Sequence, residues 1–138
     1  MHIICAAKAD VNLHRTLAES ETSRHILRFY RPLDLGWGVR IEVSTVSSAL
    51  SLMSELRWYI NRYMSAVLIE DAEHGVYLTR ELAAQAYEDR SVQLMPEWPF
   101  AYTAAVFAGG GTQWLPAGVD APAAADVFLV WGTERECP

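Results

Sequence analysis

From Val39 to Thr45 the chain alternates: Val39, Ile41, Val43 and Thr45 are separated by Arg40, Glu42 and Ser44. A period of two marks a strand with one buried face. His2–Ala7, HIICAA, is an almost unbroken apolar run and predicts a first strand buried on both faces. After Thr45 the period changes. Ala49, Met53, Leu56, Ile60 and Tyr63 recur at helical spacing, with Glu55, Arg57, Asn61 and Arg62 mostly on other positions. This predicts a helix running to about Met64, with Ser44, Thr45 or Ser47 able to cap its free N–H groups. AVLIE and GVYLT then flank Asp71-Ala72-Glu73-His74-Gly75, a hairpin signal in which Gly75 takes positive φ at low cost. Thr79 is placed to cap a second helix through Arg90, with Glu81 in its first turn, where the helix dipole favours negative charge.

Other stretches are less regular. Asn12 can cap a short helix containing Leu13 and Leu17. His25–Arg31 suits a helical face through Ile26, Phe29 and Tyr30, or a strand ending before Pro32. As a strand it would pair with 39–45 across the turn PLDLGWG. Residues 101–108 and 127–131 read as strands. Between them lies AVFAGGGTQWLPAG, whose three glycines predict a mobile turn, and AGVDAPAAAD, which reads as a loop. The expected fold is α+β: a mainly antiparallel sheet of about five strands with about two helices packed on one face. Residues 1–138 are expected to form a single globular domain, a common size for one core.

Composition narrows the class. The chain is 51% hydrophobic and 20% charged, too apolar for disorder and too broken by charge for a membrane protein. Residues 98–119 are uncharged, but Pro99, Pro116, Gln113 and the glycines interrupt them, so a buried, turn-containing region is expected rather than a span. No basic stretch precedes the first apolar run, which argues against a secretory signal and for a soluble, cytoplasmic protein. The net charge of −6 is uneven: residues 1–40 carry six bases against four acids, and residues 41–138 carry five against thirteen. Cys5 and Cys137 stand at opposite ends and make no disulfide framework; Cys5 reads as a small buried hydrophobe.

Catalytic and cofactor motifs fail on their residues. A dinucleotide fingerprint starting at Gly109 needs glycine where Trp114 stands, and a phosphate loop needs a lysine that is not near. His2 and Cys5, three apart in a strand, point to opposite faces and cannot share an ion. Glu70, Asp71, Glu73 and His74 cluster at the hairpin tip, a pattern typical of a solvated turn. No catalytic set, metal site or cofactor is therefore assigned. Ser91 to Thr133 contains no lysine or arginine and gathers Trp98, Phe100, Tyr102 and Trp114, which must fill a core or form an apolar contact surface.

Three functions are compatible with these features. The first is a non-enzymatic acidic accessory or inhibitor that binds a protein partner or a second copy of itself through Glu70, Asp71, Glu73, Trp98 and Trp114. The second is a small-molecule-binding domain or small enzyme with a pocket between sheet and helix, lined by Trp37, Arg40 and His25. The third is nucleic-acid binding through Arg24, Arg28, Arg31 and Arg40, which the net charge opposes.

Overall fold

A computed structural model describes residues 1–136. Cys137, and with it any bond to Cys5, lies outside the described residues. The strands are β1 (His2–Ala7), β2 (Leu33–Asp34), β3 (Gly38–Glu42), β4 (Met64–Asp71), β5 (Val76–Thr79), β6 (Ala101–Val106), β7 (Thr112–Pro116) and β8 (Asp126–Trp131). The helices are α1 (Leu13–Glu19), α2 (Glu21–Ile26), α3 (Val46–Glu55), α4 (Arg57–Tyr63) and α5 (Arg80–Tyr87), followed by a short 3₁₀ turn at Glu134–Glu136. The class is α+β, as expected, with more elements than the hydrophobic pattern announced. Eight strands form one sheet in the order β2-β3-β1-β4-β5-β8-β6-β7. Every pair is antiparallel except β5 with β8, so the sheet is mixed.

Local chemistry starts the helices where the sequence placed caps. Asn12 Oδ1 accepts from Arg15 N–H at 3.1 Å, Thr45 Oγ1 from Ser48 N–H at 3.0 Å, and Thr79 Oγ1 from Leu82 N–H at 3.2 Å. The long helix expected to reach Met64 breaks at the buried Leu56, which separates α3 from α4. The hairpin expected between 25–31 and 39–45 does not form. His25 belongs to α2, whose buried Ser23 hydroxyl donates to the Leu17 carbonyl at 2.6 Å, and it is β2 that pairs with β3. The aromatic and β-branched content of HILRFYR suits either element. Burial of Leu27 against the helix-side core decides for helix and turn.

Each sheet face has its own core. On one, Ile3, Cys5, Ile41, Ile69 and Leu78 pack with Leu52, Met53, Leu56 and Leu82 of the helices. On the other, Ile4 and Ala6 of β1 and Ala66 and Leu68 of β4 meet Ala104 and Val106 of β6 and Val130 of β8. The β1–β4 and β6–β8 pairs are not adjacent in the sheet, so the sheet curls until this second face closes on itself. That is why His2–Ala7 is apolar at successive positions. Cys5 is fully buried, and burial pushes its thiol up to about 12, leaving it an inert hydrophobe.

The glycine triplet fastens this closure. Gly111 N–H donates to the Ala7 carbonyl at 2.7 Å, Asp10 N–H donates to the Gly109 carbonyl at 2.9 Å, and the Ser65 and Thr112 hydroxyls bond at 2.7 Å. Gly110 has φ +93°, and a Cβ there would run into the Lys8 carbonyl. In place of a free turn, the β6–β7 connection is laid backbone-to-backbone against the β1–α1 loop.

Candidate functional site

The residues with the most chemistry to offer meet at the β4–β5 turn. Asp71 ends β4 and is only 4% exposed. Its Oδ1 accepts from the N–H groups of Glu73 (3.1 Å) and His74 (3.3 Å), the geometry of an Asx turn, and Gly75 completes the reversal at φ +68°. Its Oδ2 faces inward, 2.9 Å from His74 Nδ1 and 3.3 Å from the Tyr87 hydroxyl, which donates to it. A carboxylate oxygen only accepts, so Nδ1 carries the ring proton and Nε2 of the neutral imidazole keeps its lone pair. The His74 ring also packs on Trp131, with centroids 5.3 Å apart, which fixes its plane.

The opposite wall comes from α5 and the chain after it. Tyr87 closes the helix, and its phenol is pushed above the ordinary value of 10.0 by burial first and then by the Asp71 charge, so it remains a donor. Beyond it the Ser91 N–H donates to the Gln85 carbonyl at 2.9 Å, closing a wide turn back onto the end of the helix. Two residues past the Glu88 cap, Arg90 takes φ +52°, in the left-handed region that favours glycine. Glu73, His74, Tyr87, Arg90, Gln93 and Leu94 are among the residues lining a cleft of about 350 Å³ between hairpin and helix. A larger groove of about 620 Å³ beside Phe29 and Arg31 brings together no comparable set of oriented titratable groups. Among the described residues Arg90 forms no ion pair.

Asp71, Glu73 and His74 have possible metal-donor atoms within 4.8 Å of one another. Both Asp71 oxygens already accept from protein donors. With its carboxylate committed to orienting His74 and holding the turn, the arrangement is better suited to handling a proton.

The five residues proposed for partner binding do not share one surface. Glu70 faces His2 across the second sheet face, with Oε1 and Nδ1 3.5 Å apart, while Asp71 is buried and Glu73 exposed at the tip. Trp98 stacks on Trp131 at 6.4 Å, and its Nε1–H donates to the Gly132 carbonyl at 2.8 Å. Trp114 lines a separate cleft of about 420 Å³ with Ser65, Arg80 and Glu136, near the start of β4 rather than its end. Nor do the three ligand-lining candidates converge. Trp37 is buried edge-on to Phe128 at 5.8 Å and Arg40 is exposed on β3, whereas His25 is exposed on α2. Tyr87 and Arg90 were not singled out in the sequence. Arg90 gave no signal, because the helix predicted through Arg90 stops at Tyr87 and leaves it in the turn beyond.

Residues 1–97 match the sequence profile of a family described as a family of unknown function (DUF5804). The chain belongs to that family. The match takes in β1 to α5, and so every residue named as lining the cleft, and stops before β6. No curated protein and no solved structure matches the chain.

Proposed function

We propose that this protein, like the second of the three functions weighed above, binds a small molecule between sheet and helix, and that the cleft bounded by the β4–β5 turn and α5 is the site. The observation that carries the proposal is the buried Asp71 carboxylate holding His74 Nδ1–H at 2.9 Å, in a ring that lines the cleft. A histidine oriented by a carboxylate keeps one basic nitrogen for a substrate proton, the arrangement of a general base. In this reading His74 exchanges the proton, Asp71 sets its tautomer, and Tyr87 holds Asp71 from the other side. A cleft of about 350 Å³ is at the small end of ligand sites, which suits a compact ligand.

The test is a fragment collection screened by two-dimensional ¹H–¹⁵N NMR on the full chain and on His74→Ala. Saturable shifts grouped around His74 and Tyr87, lost in the variant, are expected. Binders that all cluster elsewhere would remove the site.

Exposed Val127 and Leu129 on β8 favour a second reading, the protein-binding accessory. These residues alternate with Phe128 and Val130, which turn toward the second core, so they stand on the outer side of β8. Val127→Lys together with Leu129→Lys would abolish such an association without touching the cleft.

No helix among the described residues is long and apolar enough to cross a membrane.

A further inference from the structure

We infer that the ligand of this cleft carries an oxyanion, a carboxylate or phosphate, and that Arg90 is the residue that binds it. The inference rests on the small-molecule reading of the same cleft. Three observations lead to it. Arg90, just beyond α5, is held at φ +52°, where glycine is the relaxed residue. Asp10, the other non-glycine residue with positive φ among the described residues, belongs to a type whose short polar side chain tolerates that region; arginine does not. Second, the strained residue lines the same cleft as His74. Third, Arg90, like most arginines of the chain, has no carboxylate partner among the described residues, so its charge is available to a ligand in the cleft it lines. A planar, permanently charged fork without a carboxylate partner, on a residue that lines a cleft, matches a bidentate oxyanion.

Glu73 lines the same cleft and opposes an anion. Its carboxylate stands on the hairpin side, with the Asp71 and His74 donors. The cleft is therefore polarised, with a basic residue on the helix side and an acidic one on the turn. A ligand oriented by this field places its oxyanion on Arg90 and directs its remaining polar group toward His74.

Phenyl phosphate, benzoate and the neutral benzyl alcohol are the probes, each titrated at low ionic strength into ¹⁵N-labelled full chain. Phenyl phosphate or benzoate should shift the His74 and Arg90 signals saturably and bind at least tenfold more tightly than benzyl alcohol; the tighter of the two tells phosphate from carboxylate. Arg90→Gly should lose at least tenfold of that affinity while its melting temperature rises, so lost binding cannot be lost folding. Glu73→Gln should tighten the anionic probe a few-fold. If benzyl alcohol shifts His74 and binds as tightly as both anions, or if Arg90→Gly binds them unchanged, the oxyanion assignment is overturned and the small-molecule site stands. If no probe shifts His74, and the fragment collection also leaves it unmoved, both fall.

Discussion

Replacing Arg90 separates what the fold prefers from what the cleft requires. At φ +52° a residue with a Cβ is held in the left-handed region, at a cost on the order of 1–2 kcal/mol. Glycine relieves that cost but loses about 0.4–1 kcal/mol through the greater freedom of its unfolded chain. Arg90 is exposed and makes no ion pair among the described residues, so little native contact is lost with its side chain. The net gain expected for Arg90→Gly is about 0.5–1 kcal/mol, a melting-temperature rise of roughly 2–4 °C in a domain of this size. Arg90→Ala is the control. It removes the same guanidinium but keeps the strained backbone, and should match the parent within about 0.5 kcal/mol. Urea unfolding followed by tryptophan fluorescence measures both variants, with the shift read from the midpoint at unchanged slope. A glycine variant no more stable than the alanine variant would refute the claim that Arg90 is strained.

Asp71→Ala strips the acceptor from two turn N–H groups, a histidine and a tyrosine at a site only 4% exposed, and should cost about 2–4 kcal/mol in urea unfolding. Tyr87 holds its proton above the ordinary 10.0 because of burial and then Asp71. The folded state therefore keeps a proton that the unfolded state releases first; this contribution is present below pH 10 and is lost as pH rises through the folded value. Stability measured through that alkaline range should fall less steeply in Tyr87→Phe than in the parent. Gly110→Ala combines φ +93° with a collision at the Lys8 carbonyl, and calorimetry should show a loss of about 2 kcal/mol or more.

Much of the fold was legible because the period of the hydrophobic pattern is local. The alternation of β3, the caps Asn12, Thr45 and Thr79, and the Gly75 turn each depend on a few consecutive residues; the caps and the turn form where expected, and the strand forms but stops at Glu42, short of Thr45. Strands such as β7 escape that kind of reading. Thr112–Pro116 has a glycine run before it and a proline at its end, and becomes a strand only by pairing with β6. Curling of the sheet was hidden for a similar reason: Ala6, Ala66 and Ala104 are small residues whose value lies in close approach across the second face. At the site, the acidic turn was visible as Glu70, Asp71, Glu73 and His74, but its inward half was not. A pattern of charged residues at a hairpin tip suggests a solvated loop; Asp71 is buried because Tyr87, sixteen residues later, returns on α5 to meet it. Proximity of that kind is tertiary and leaves no periodic trace. Trp98 and Trp114 were legible as large apolar groups, yet their separation onto the Trp131 stack and the Ser65 cleft depends on how β6, β7 and β8 join the sheet.

The tautomer of His74 tests the central claim most directly, because the proposed function depends on Asp71 fixing which nitrogen is free. Long-range ¹H–¹⁵N spectra of the imidazole nitrogens should show the neutral ring with its proton on Nδ1, and Asp71→Asn should abolish that preference. A neutral His74 in the parent protein with its proton on Nε2 would contradict the oriented Asp71–His74 pair and, with it, the assignment of this cleft.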